Sequence, residues 1–210
     1  TGLAANITAR SLTVSATGIH KTYDASTTAS VTLGDNRVAG DTLTLSNTSA
    51  TFDTKNVGTG KTVSVSGINV TSTDAGNYTF NTTANTTANI TAKALTITGA
   101  SASNKVYDGV TTASVSGGTL VGIVGSETVD FSLGSAAFNN KNVGTGKAVT
   151  VSGSSLSGTD FANYSLSDPT GLAATITARS LTVSATGIHK VYDASTTASI
   201  TLSDDRVAGD

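Results

Sequence analysis

The chain has 210 residues, a net charge of −2 and only 12% charged residues. With no Lys/Arg cluster to neutralise phosphates it is not a nucleic-acid binder, and no apolar run approaches the ~20 residues that span a bilayer. Cysteine is absent, which removes disulfide frameworks and thiol chemistry, and fits a secreted protein that crosses a membrane unfolded as well as it fits many cytosolic ones. Ser and Thr make roughly a third of the residues, and Val, Ile and Leu recur in alternating runs, a mixture that favours β structure with tight turns.

In chain order, Leu12-Val14-Ala16, Leu43-Leu45, Val63-Val65, Tyr78-Phe80 and Leu95-Ile97 alternate with Ser, Thr or Asn, the period-two pattern of strands with one buried face. Turn chemistry separates them at Gly34-Asp35-Asn36, Gly58-Thr59-Gly60, Asp74-Ala75-Gly76-Asn77 and Gly117-Gly118. No helical stripe interrupts the series. The pattern predicts six or seven strands per repeat in an all-β fold, a tandem array of small antiparallel β-sandwich modules, immunoglobulin-like or of another small topology, arranged as an elongated rod.

The repeats are plain in the residues themselves. Tyr-Asp recurs at Tyr23-Asp24, Tyr107-Asp108 and Tyr192-Asp193, with steps of 107 − 23 = 84 and 192 − 107 = 85. Cutting at the recurring Ile-Thr-Ala phrase gives the tail of a preceding repeat at 1–9, a type A repeat at 10–92, a type B repeat at 93–178 and the N-terminal part of a third, type A again, at 179–210. Arg179–Asp210 matches Arg10–Asp41 except at Val191, Ile200, Ser203 and Asp205, so the chain reads as an excerpt of a longer array. Apolar parity shifts across each joint (Ile90, Ala92, then Leu95, Ile97) without Gly or Pro. That predicts a last strand running almost directly into the next repeat's first, with one bulge or twist and little flexibility.

One ordered set of motifs runs through both full repeats: Lys21-Thr22-Tyr23-Asp24 and Lys105-Val106-Tyr107-Asp108-Gly109, Asn56 to Lys61 and Asn142 to Lys147 (both Asn-Val-Gly-Thr-Gly-Lys), Val65-Ser66-Gly67 and Val151-Ser152-Gly153, then Thr73 to Tyr78 and Thr159 to Tyr164. The set resembles the YDG-type and related MBG-type repeats of large bacterial surface proteins, including filamentous-haemagglutinin-like exoproteins of Gram-negative bacteria. Ala25, where repeat B has Gly109, bears on the turn after Tyr-Asp. The resemblance implies an extracellular stalk or adhesive region on a secreted or surface protein, and supplies no catalytic residues.

Each polar motif has a structural reading beside a functional one. Tyr23, Tyr107 and Tyr192 could form a sugar-binding platform, but copying into every repeat favours rings packed in their own cores with the hydroxyl satisfied. Tyr78 and Tyr164 are expected to start strands after turns closed by Asp74 and Asp160, as a tyrosine corner. The Lys-Asn-Val-Gly-Thr-Gly-Lys segments lack phosphate-loop spacing and are expected to be hairpin turns. No cofactor is expected. Calcium on Asp24, Asp74, Asp108 or Asp160 is a weaker alternative, since no Asp-x-Asp-x-Asp run or bidentate glutamate accompanies them. His20 and His189 stand where repeat B has Asn104, which points to a surface or turn role, and catalysis lacks its parts. A Lys–Asn isopeptide bond in both repeats is disfavoured because the one glutamate, Glu127, occurs in repeat B only. Asn81, Asn85 and Asn89 form a run of sequons open to glycosylation. The reading is a structural stalk or spacer of a bacterial adhesin or biofilm-matrix fibre, partnered by neighbouring repeats; a filament of other copies joined by strand pairing, or binding of surface glycans, stands as the alternative.

Overall fold

The computed structural model describes residues 2–210. It is all-β: among the described residues the only helical elements are two one-turn 3-10 segments, Ala75–Asn77 and Phe161–Asn163. The chain divides into two compact units. The first comprises the chain up to Leu95 with Gly122–Asp130 and Ser157–Ser165; the second comprises Thr96–Val121, Phe131–Leu156 and Leu166–Asp210. Each unit therefore takes segments from more than one sequence repeat.

In the first unit the strands are β1 (Arg10–Leu12), β2 (Val14–Ile19), β3 (Lys21–Thr22), β4 (Ser30–Asp35), β5 (Thr44–Ser46), β6 (Ser49–Phe52), β7 (Gly58–Ser66), β8 (Asn69–Thr71), β9 (Tyr78–Phe80) and β10 (Thr83–Thr91). A four-stranded sheet has the order β3-β10-β7-β6, and β1-β9, β2-β4 and β5-β8 form pairs. Ten short strands replace the expected six or seven, because the run from Arg10 to Thr22 changes partner twice. It lies parallel to β9, then antiparallel to β4, then parallel to β10. The sheets are thus mixed, and the purely antiparallel expectation is corrected. Alternation places Val63 opposite Phe52 and Val65 opposite Ala50 on one buried face, joined in the core by Leu12, Val14, Ile68, Val70 and Ile90. Each such side chain contributes about 1.5–3 kcal/mol. Gly18 permits the close passage of β2 over β10: a Cβ there would stand 2.5 Å from the Thr87 carbonyl oxygen.

The second unit takes most of β11 (Lys93–Ala102), then β12 (Lys105–Val106), β13 (Thr112–Ala113), β14 (Val115–Val121), most of β15 (Asp130–Ser132), β16 (Ser135–Phe138), β17 (Gly144–Ser152), most of β18 (Ser155–Ser157), the second half of β19 (Tyr164–Ser167), β20 (Leu172–Thr177), β21 (Val183–Ile188) and β22 (Ser199–Asp204). Its five-stranded sheet, β12-β20-β17-β16-β13, buries Phe138, Val149, Ala174 and Ile176. The β12–β20 pair is parallel, repeating β3–β10.

Two expected turns are strand segments instead. Gly58-Thr59-Gly60 lies inside β7, where Gly60 at φ 61° makes a bulge opposite Asn89, between the pairs Lys61–Ala88 and Gly58–Ile90; its N–H is satisfied by Asn89 Oδ1 at 2.8 Å. Gly117-Gly118 lies inside β14. The expected short passage is present at the first joint, where β10 ends at Thr91 and β11 begins at Lys93; at the second, β20 ends at Thr177 and β21 begins only at Val183.

Candidate functional site

The Lys-x-Tyr-Asp segment folds the same way three times. Lys21 Nζ donates to Asp24 Oδ1 (2.7 Å), the Ser26 carbonyl (2.8 Å) and the Thr28 carbonyl (2.9 Å). Lys105 does so to Asp108 (2.7 Å), Val110 (2.8 Å) and Thr112 (2.9 Å), and Lys190 to Asp193 (2.8 Å) and Ser195 (2.9 Å). The aspartate also accepts the backbone N–H two residues on, from Ser26, Val110 and Ser195. That geometry drives the residue between into the left-handed region: Ala25 at φ 63°, Gly109 at 81°, Ala194 at 59°. For Asp24, burial works upward on the carboxyl, but the Lys21 ammonium and the Ser26 bonds hold it below the usual range. Lys105 and Lys190 likewise lower Asp108 and Asp193.

This clasp aims the tyrosine away from its own repeat. Tyr23 is buried, as expected, but its hydroxyl donates to Glu127 Oε1 of the following repeat at 2.5 Å, so the own-core reading is corrected. Lys55 Nζ reaches the same oxygen at 2.5 Å and lies 5.9 Å from the centre of the Tyr23 ring. Tyr164 donates to Glu127 Oε2 at 2.6 Å, and its ring meets that of Tyr23 edge to face at 5.5 Å. Asn163, a buried polar side chain, accepts the Val57 N–H at 3.0 Å. Head and base of consecutive repeats thus share one cluster, all of it inside the first unit.

Charge is balanced within that cluster. Burial raises the Glu127 carboxyl, yet the bonds from Lys55, Tyr164 and Tyr23 outweigh it and leave the group below its ordinary value. Burial, with Glu127 beside it, pushes the Tyr164 phenol up to about 12, and Tyr23 moves the same way for the same reasons. Glu127 holds the Lys55 ammonium well above its usual value.

The second unit repeats the pattern. Tyr107 OH and Lys141 Nζ converge on Asp210 Oδ1 at 2.7 and 2.9 Å, and Lys141 lies 5.9 Å from the Tyr107 ring centre. Asp41, Glu127 and Asp210 are equivalent: each closes a turn by donating its N–H to the carbonyl of Val38, Val124 or Val207. In repeat A, Tyr78 donates to Asp41 at 2.5 Å and accepts the Val38 N–H, as Tyr164 does with Glu127 and Val124.

With this geometry in view, the sequence model of the YDG domain matches residues 8–87 and 91–171, two consecutive copies. The chain belongs to the YDG domain family. Comparison with curated proteins and with solved structures finds no match.

In these YDG repeats Tyr78 and Tyr164 start β9 and β19 after one-turn segments, but Asp74 and Asp160 close those turns through their carbonyls. Their carboxylates accept the N–H of Thr42 and Thr128 instead. The four aspartates considered for calcium do not converge; among the described residues no three His, Cys, Asp or Glu are placed to share an ion. Tyr192 is exposed and Asp193 only closes its clasp. His20 Nδ1 accepts the Asn89 N–H, and Asn104 Oδ1 accepts that of Thr175, so both residue types serve as acceptors for the last strand of their repeat. Of the sequon run only Asn85 is exposed; Asn81 is held by Val14 and Thr83, and the Asn89 side chain serves Gly60. Motif reading missed Asp41, Asp210, Lys55 and Lys141. The signal lay in aligning Ala39-Gly40-Asp41, Gly125-Ser126-Glu127 and Ala208-Gly209-Asp210, where an acid is the shared feature.

Proposed function

We propose that these YDG repeats are structural spacers in the stalk of a secreted bacterial surface protein, an adhesin or a biofilm-matrix fibre, and that their work is mechanical. The observation that carries this reading is the Tyr23–Lys55–Glu127–Tyr164 cluster, in which one carboxylate receives donors from two consecutive repeats. A half-buried carboxylate with three charge-assisted or phenolic donors is a stiffening element, because removing one partner strands the others. The single-residue passage from β10 to β11 supports the same reading. Glycan binding is the weaker proposal, since Tyr23 and Tyr107 are engaged internally, and no reaction is proposed.

Electron microscopy of the purified chain over a range of concentrations tests this. Separate particles unchanged by concentration are expected. Fibres that lengthen with concentration would make self-assembly the function and displace the spacer reading.

A further inference from the structure

A cavity of about 350 Å³ opens at the base of repeat A, lined by Arg10, Val38, Asp41 and Tyr78 among others. Its counterpart at the Asp210 base, about 360 Å³, is lined by Arg179, Val207 and Asp210 together with Tyr107 of a repeat head. The Glu127 base holds Tyr23 and Lys55, and the Asp210 base holds Tyr107 and Lys141. Asp41 accepts Tyr78 but receives neither a tyrosine nor a lysine from a repeat head. Residues 10–41 and 179–210 differ at four positions only, and none of those is Arg10, Val38 or Asp41. Arg10, Val38 and Asp41 are therefore the same side chains that meet the Tyr107 head at Asp210, with Tyr78 added beside them.

The two joints at which a head meets a base differ in a matched way. Where the acid is the shorter Asp210, the head carries Gly109, and a Cβ added there would lie 2.7 Å from Val207 Cγ1. Where the acid is the longer Glu127, the head carries Ala25. The longer acid reaches the tyrosine and lysine of a head that carries the extra methyl. Short acid goes with glycine and long acid with alanine.

From this we infer that the Arg10–Val38–Asp41–Tyr78 cavity is a docking site for the head of another YDG repeat of type B, one presenting Tyr-Asp-Gly and the first lysine of Lys-Asn-Val-Gly-Thr-Gly-Lys, and that the Asp41–glycine pairing selects it over a type A head. The inference builds on the spacer reading, in which heads and bases meet in series, and adds which head each base accepts.

The test is zero-length carbodiimide cross-linking, which joins a lysine to a carboxylate in direct contact, mapped by peptide mass. The protein is the full chain lengthened by a second copy of residues 10–178 placed ahead of Arg10. The Lys55–Glu127 cross-link, formed in both copies, reports that the added repeats are folded. A cross-link from the added copy's Lys141 to Asp41 is expected. It should fall several-fold when Gly109 of the added copy is changed to Ala, and Asp41→Glu should restore it. If Lys55–Glu127 forms while Asp41 stays unjoined, the docking site is wrong and the spacer reading survives. If Gly109→Ala leaves the yield unchanged, the selectivity is wrong. If neither cross-link forms, the joint itself fails and the proposed function falls with it.

Discussion

Residues 10–41 and 179–210 are nearly the same sequence in two different settings. Both form the same antiparallel pair in the same register, Val14 opposite Asp35 and Val183 opposite Asp204. Both build the lysine–aspartate clasp and both put an alanine at positive φ. Burial separates them. Leu12, Val14 and Tyr23 are each 2% exposed, whereas Leu181, Val183 and Tyr192 are 55%, 58% and 89% exposed. Thirty-two residues (41 − 10 + 1) suffice to write register and turn geometry, while burying Leu12, Val14 and Tyr23 needs partners beyond them, among them the strands between Thr44 and Thr91.

The contrast is sharpest for Leu12→Ala against Leu181→Ala. The first opens a cavity in the core and should cost about 2–4 kcal/mol in urea unfolding; the second should stay within about 0.5 kcal/mol. Equal losses would mean that the third copy is buried after all.

Tyr23→Phe against Tyr192→Phe comes next. Loss of the Tyr23 hydroxyl leaves one oxygen of Glu127 to Lys55 alone and should cost about 1–2 kcal/mol, while the exposed Tyr192 should give no measurable change.

The joint also has a pH signature. The folded pKa of Glu127 lies below its ordinary value near 4.5, so the carboxylate contributes stability in full above that pH and loses it as pH falls through the lower folded value. Glu127→Gln should flatten this acid limb of the denaturation midpoint. Tyr164 acts at the other end: a folded pKa of about 12 against an ordinary 10.0 gives stability present below pH 10 and lost as pH rises towards 12, which ultraviolet titration of the phenols would follow.

Smallest is the strain at the clasp. Ala25→Gly should stabilise the first repeat by about 0.5–1 kcal/mol, because glycine takes φ 63° without the Cβ penalty. Ala194→Gly relieves the same strain where no core couples it to unfolding, so the midpoint should not move.

Much of this was legible in the residues. The all-β class, the repeats and most strand positions follow from period-two alternation, as at Val63 and Val65. Parallel pairing of β1 with β9 and β3 with β10 was not legible, since alternation fixes which face a residue takes and says nothing about which strand lies beside it. Gly60 and Gly118 look like turn glycines, yet both lie within strands at positive φ, Gly60 at a bulge, where the partner strand decides. At the joint, Tyr23 stood out as an aromatic in a recurring motif. Glu127 was visible as the lone glutamate, but its role was hidden because its equivalents are aspartates at 41 and 210. Alignment by residue identity cannot see a substitution that keeps charge and changes length.

The parallel pairing has a consequence for force. In repeat A the strand near the start, β3, lies alongside the final strand, β10, running the same way, with Lys21 beside Ile90, Thr22 beside Thr91, and the Tyr23 N–H on the Thr91 carbonyl at 2.8 Å. Tension applied to the two ends of such a pair slides the strands past one another, so their hydrogen bonds share the load and break together; in a hairpin pulled open at its tip they would yield one after another. Repeat B makes the same arrangement with β12 and β20, and the Tyr107 N–H on the Thr177 carbonyl at 2.9 Å. Each repeat thus meets a pull along the chain with a shear lock, placed directly beside the tyrosine whose hydroxyl engages the next base.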